Sequence, residues 1–243
     1  MLEALLWGMI AGGALLVGAA AGLCFTFPRW SIALIMAFGV GALISAVTYE
    51  LTAEAYERGG AAAVLGGLAL GAFVFFAGDL AIDRRGGEHR KRSGGQQSEA
   101  GGAILLGAVL DGIPESLVIG ISLLEGGAVG IAFVLAVFIS NLPEGLSGAT
   151  GLRKAGHRPR DILWLWAVVC VASGLAAALG YGVAGELPGH SVGVVQAFAA
   201  GAILTMLADT MMPEAFDEGG HRPWVGLVTV LGFATAALLQ FVA

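Results

Sequence analysis

With 243 residues, 57% of them hydrophobic and only 12% charged, the chain carries about half the charge of a soluble domain of its size. Its net charge of −6 says little, because the charges are segregated, but only twelve basic residues exclude a nucleic-acid surface, and its mean hydropathy of +0.86 points to a lipid environment. The 40 glycines suit close helix packing in lipid. Cys24 and Cys170 sit in apolar runs and read as small core residues rather than a disulfide.

A hydrocarbon layer about 30 Å thick needs about 20 apolar residues per helix. Eight stretches meet that need in chain order: 4–27, 31–53, 60–82, 101–124, 127–150, 161–185, 190–213 and 222–242. Turn chemistry separates them at Pro28-Arg29, Arg58-Gly59-Gly60, Glu125-Gly126-Gly127, Leu187-Pro188-Gly189 and Gly219-Gly220. The one long break, 83–100, is polar and glycine-rich and reads as a flexible loop. Met1-Leu2-Glu3 lacks the positive start of a signal peptide, so the first apolar run reads as a retained helix. The predicted fold is all-α: one polytopic membrane domain over 1–243 with eight transmembrane helices.

The basic residues orient these helices. Arg29, Arg84, Arg85, Arg90, Lys91, Arg92, Arg153, Lys154, Arg158, Arg160 and Arg222 all fall in alternate breaks, and only Arg58 falls on the other side. The alternate breaks are therefore cytoplasmic, the membrane is the cell (inner or plasma) membrane, and both termini lie outside it.

Two repeats organise the chain. Phe38 to Gly60 matches Phe198 to Gly220: Phe38, Gly41, Ala42, Glu54, Ala55, Gly59 and Gly60 find identical partners 160 residues on. Ile113-Pro114-Glu115-Ser116-Leu117 resembles Leu142-Pro143-Glu144-Gly145-Leu146. Each pair falls on spans of opposite direction. The expected arrangement is three helices, a central two and three more, an inverted repeat of the kind secondary transporters use around a midplane site.

Ionisable groups inside a bilayer are costly and point to function. Asp111 and Glu115 fall mid-span at i, i+4 spacing, hence on one helical face. Ser140, Asn141 and Glu144 share a face of the next span. Pro114 and Pro143 each precede a glutamate and free the carbonyls of Leu110 and Ile139. Together these groups form an oxygen-rich cage suited to a divalent cation. Protonated carboxyls bonding across helices are the plainer alternative, and Ser140 reads equally well as bonding back to its own helix. A second set, Glu50, Glu54, Asp209 and Glu214, lies nearer the membrane surfaces and could form an entry and exit path. Of these, Glu50 and Asp209 are expected to lie deeper, and Glu54 and Glu214 read equally well as interfacial caps. Intramembrane catalysis is disfavoured. His89, His157, His190 and His221 all lie in breaks or at span edges, and no HExxH motif occurs.

At these residues the chain resembles the ZIP (Zrt/Irt-like) divalent metal transporters of the compact bacterial type. The likeness rests on Asp111-Gly112-Ile113-Pro114-Glu115-Ser116, Asn141-Leu142-Pro143-Glu144-Gly145 and Met212-Pro213-Glu214-Ala215. The family's usual histidine and asparagine are here Asp111 and Gly112, and a glutamate common on its sixth helix is here Ala177. The resemblance implies transport rather than enzymatic catalysis, with divalent metal as substrate and no cofactor. It implies one metal held by Asp111, Glu115 and Glu144 with Ser140 or Asn141, and uptake by a carrier or elevator motion. Zinc is expected first, and an all-oxygen site also admits Mn²⁺, Fe²⁺ or Cd²⁺. A non-transporting metal-binding or sensor protein on the same scaffold is the other reading. The expected partners are divalent ions and the lipid bilayer, and the sequence admits a homodimer.

Overall fold

A computed structural model describes residues 1–84, 101–124, 130–218 and 223–242. Most of the predicted loop and the breaks at 125–127 and 219–220 lie outside the described residues. All regular structure within them is helical: α1 (Leu2–Cys24), α2 (Arg29–Ala46), α3 (Ala53–Ile82), α4 (Gly101–Ser122), α5 (Ile131–Lys154), α6 (Pro159–Ala184), α7 (Gly189–Met206), α8 (Met212–Glu218) and α9 (Trp224–Val242). Seven helical stretches are long and apolar enough to cross a membrane, one of them the continuous Arg29–Ile82.

Local chemistry sets the ends. Pro28 and Pro188 cap α2 and α7, and Pro159 opens α6, where a missing N–H costs nothing. Gly156, at φ 94°, closes α5, with His157 N–H donating to the Leu152 carbonyl at 3.0 Å, a left-handed cap that satisfies a helix-end oxygen. Compared with the predicted spans, α1 starts and stops two or three residues early. The helical path of α7 runs past 213 through α8.

Gly60 adopts φ 67° and ψ −174° inside α3, a combination only glycine reaches cheaply. Its effect shows in the neighbours. Gly193 of α7 faces the Ala55 carbonyl and Gly59 lies by His190, whereas Gly67 meets Ala197 and Gly71 abuts Phe198. Contacts move down α7 before Gly60 and up it afterwards, so the chain reverses there.

α2 runs into a π-helical segment, Val47–Thr52, and α7 into another, Leu207–Met211. Val47 and Leu207 are themselves 160 residues apart, so the repeat extends to the same rare backbone defect. The crossings repeat too. Gly41 packs on the Thr229 backbone and Gly232 on Phe38, just as Gly201 packs on Leu68 and Gly71 on Phe198. More widely, α1 pairs with α5 as α6 pairs with α4, and α2 pairs with α9 as α7 pairs with α3.

These pairings sort the helices into two groups, α1, α4, α5 and α6 against α2, α3, α7 and α9, which meet along α2/α5 and α4/α7. Phe75, Val118, Phe133 and Met206 help fill the core between them. Within each group glycine lets backbones touch: Gly18 meets the Leu142 carbonyl, Gly145 that of Leu15, and Gly180 that of Leu117. In lipid such close van der Waals packing replaces the hydrophobic effect as the force between helices. Gly201→Leu is expected to destabilise the fold by about 1–3 kcal/mol through overpacking. Gly66→Leu should be neutral, because a Cβ at Gly66 meets nothing within 4 Å. Thermal unfolding of both variants in detergent checks the contrast.

Candidate metal site

The interior of α4 and α5 is where the acids are driven deepest. Asp111 and Glu115 on α4 are 3% and 2% exposed, and Glu144 on α5 is 5% exposed. Each helix carries its proline inside, Pro114 and Pro143, so the i−4 carbonyl lacks its usual donor beside each glutamate. Ser116, Ser140, Asn141, Ser147 and Ser173 are also buried. This apolar bundle thus concentrates oxygen ligands around the middle of two helices.

The individual orientations refine the predicted cage. Asn141 donates from Nδ2 to the Ala11 carbonyl at 3.3 Å, so its amide nitrogen is turned to α1. Ser140 Oγ donates back to the Val137 carbonyl at 2.9 Å, which leaves its oxygen lone pairs as the only contribution it can make to a cation. Among the described residues, no three His, Cys, Asp or Glu side chains converge closely enough to hold a metal ion. Any cation between α4 and α5 must therefore complete its shell with hydroxyl, amide or carbonyl oxygens or with water.

Where the related motif carries a glutamate, Ala177 is fully buried. Its Cβ lies 2.6 Å from where a Cβ on Gly8 would stand, and its carbonyl abuts Gly120. This contact is close-packed. Gly112 faces the Ser173 hydroxyl, which lies 3.4 Å from an ideal Cβ there.

The outer acids separate into distinct settings. Glu50 is buried, and its Oε2 lies 3.0 Å from an ideal Cβ on Gly130, just before α5. A carboxylate at a helix N-terminus is favoured by the backbone dipoles. Glu54 is half-buried and accepts a hydrogen bond from Gln196 Nε2 at 2.6 Å. Glu214 is buried. Asp209 departs from expectation: it is exposed, in a shallow groove with Leu68, Ala72 and Leu204. The reason is angular. The buried stripe on this path runs through Ile203, Leu207, Thr210 and Glu214, and Asp209 is off it. Distance from the helix end does not decide burial here; the face of the helix does.

Asp79 and Gln196 are buried polar residues outside the sequence reading. Asp79 continues the buried stripe Gly67, Gly71, Phe75 of α3, beside Gly78, which packs on Leu110. The four-residue spacing of that stripe is the signal that could have found it. Gln196, the partner of Glu54, lies on the buried face of α7. The cysteines divide: Cys170 is buried, with its thiol on the Met9 carbonyl at 3.3 Å, whereas Cys24 is exposed at the end of α1 rather than in the core.

Apolar helices of spanning length, with buried acids at their centre, define a multi-pass helical membrane protein with ionisable groups inside its apolar layer. No family model matches the chain. Over 220 residues it is 25% identical to a protein of Arabidopsis thaliana described as a "Putative zinc transporter". The aligned part covers 84% of this chain and 33% of that protein, so the chain spans about a third of the relative's length.

Proposed function

We propose that the chain is a ZIP-like carrier that takes a divalent transition metal, zinc first, across the cell membrane into the cytoplasm. The single observation that carries this reading is the burial of Glu115 and Glu144 beside in-helix prolines on neighbouring apolar helices. Two buried carboxylates are costly alone and balance one divalent cation. Asp111 lies on the Glu115 face as a neighbouring acid outside the pair, since no three acids converge among the described residues, and Ser140 and Asn141 supply neutral oxygens. The all-oxygen set suits zinc and also Mn²⁺, Fe²⁺ or Cd²⁺. The zinc assignment leans on the description of the Arabidopsis relative. Ala177 in its close-packed contact favours one metal rather than two.

In this reading the chain crosses the membrane eight times, because the reversal at Gly60 divides Arg29–Ile82 into two passes. The 3+2+3 inverted arrangement draws support from the paired π-helices and glycine crossings. Both termini then lie outside, and Glu50 and Glu54 stand at the outer mouth. Metal reaches the midplane between α4 and α5 and leaves past Glu214, with Asp79 added to the inner path and Asp209 beside it. The group α1, α4, α5 and α6 carries the site and moves against α2, α3, α7 and α9.

The test is flux. Vesicles containing the protein are expected to accumulate Zn²⁺, and to rank Zn²⁺, Mn²⁺, Fe²⁺ and Cd²⁺ by rate above empty vesicles. Binding without accumulation would instead assign a metal-binding or sensor protein on the same scaffold.

A further inference from the structure

The two helices that carry the candidate site share one anchor where α4 ends and α5 begins. Gly130 is the cap residue of α5, and a glycine has no side-chain oxygen to offer the helix. Its N–H donates to Ser122 Oγ at 3.2 Å, eight residues back at the end of α4. That hydroxyl donates in turn to the Ile119 carbonyl at 3.0 Å. Glu50 Oε2 stands 3.0 Å from where a Cβ on Gly130 would be, and Ser122 Cβ lies 3.7 Å from the same point. The carboxylate thus occupies the region from which a capping serine or aspartate would act on α5.

Glu50 comes from the other helix group. It sits in the π-helical segment Val47–Thr52 between α2 and α3, and π-helical turns are frequent at functional positions. Val47 and Leu51 of that segment and Leu123 and Phe133 of the other group lie in one buried apolar cluster. A charged oxygen buried there is costly unless it is held. The first N–H groups of α5 have no acceptor within their own helix and favour negative charge. The second π-helix lacks the acid. Thr210 stands there 160 residues on from Glu50, and its hydroxyl donates back to the Met206 carbonyl at 2.6 Å. The contact lies about four turns of α5 away from Glu144, so Glu50 acts on the end of that helix rather than on the site itself.

We propose that Glu50 is a positioning residue that caps α5 from across the group boundary and so latches the joined ends of α4 and α5 to the segment between α2 and α3. The latch holds the arrangement seen here and parts when the groups shift. It rests on the carrier reading in one respect, that the two groups move against each other.

The test uses the full chain in detergent, without metal, and reads amide exchange and one distance. Glu50→Ala is expected to speed exchange at Ala132 and Phe133, the positions a cap serves, about fivefold. Glu50→Gln keeps an oxygen but not the charge and should speed it about twofold. Spin labels introduced through Glu57→Cys and Leu124→Cys, at exposed positions on the two groups, should move apart in both variants; a Cys24→Ser background removes the exposed native thiol. Glu50→Ala/Gly130→Ser supplies a cap from α5 itself, so exchange should return to the original rate while the distance stays long. Glu54→Gln, whose partner Gln196 lies in its own helix group, should change neither readout. Unchanged exchange in both Glu50 variants overturns the cap. A distance that is unchanged in both, that Gly130→Ser restores, or that lengthens equally in Glu54→Gln overturns the latch. No readout involves metal or flux, so failure here and failure of the carrier reading are distinguishable.

Discussion

Glu115→Ala and Glu144→Ala are each expected to abolish metal uptake while the protein still folds. Both carboxyls are buried on the central helices, at 2% and 5% exposure. With a divalent cation between them, each supplies half of the compensating charge. Removing one partner of a buried ionic set costs about 3–5 kcal/mol, which corresponds to a loss of roughly 100-fold or more in occupancy. The fold should tolerate the change, because alanine favours the helix and introduces no charge of its own. Uptake into vesicles measures the loss, and size-exclusion elution with helical circular dichroism confirms folding. Normal uptake by either variant contradicts the assignment of the cage.

The second large effect concerns motion rather than binding. α2 crosses α5 at Gly39, where an added Cβ would lie 2.7 Å from Ser140 Cα. The crossing joins the two helix groups one residue from Asn141 and four from Glu144. Gly39→Leu should hold the groups apart or jam them, so uptake is expected to fall at least about tenfold, in line with about 1–3 kcal/mol of overpacking strain. Zinc affinity in detergent, measured by calorimetry, should change only a few-fold, since no ligand is altered. Gly13→Leu is the control, because a Cβ at Gly13 meets nothing within 4 Å. Unchanged flux in Gly39→Leu would show that the groups do not move against each other there.

Much of this was legible in the sequence because lipid makes strong demands. Apolar length, proline breaks and charge segregation all follow from an environment without water. The described residues accordingly hold seven helical stretches long and apolar enough to cross a membrane, and the glutamates beside Pro114 and Pro143 are buried. Other features depend on tertiary detail. The π-helices at Val47–Thr52 and Leu207–Met211 have no composition signature, although the repeat containing them does. Asn141 turns toward Ala11 because α1 lies against α5, and its own helix gives no hint of that neighbour. Asp209 and Asp79 were both decided by helical face. Asp209 is three residues from Met206 and five from Glu214, yet exposed; Asp79, near the end of α3, is buried because its stripe began at Gly67.

X-ray absorption at the zinc edge on metal-loaded protein tests the central claim most directly. The carboxylate cage predicts an oxygen-only first shell at about 2.0–2.2 Å, without imidazole scattering, that disappears in Glu115→Gln/Glu144→Gln. A shell containing histidine or sulfur, or one that survives that double substitution, would contradict it.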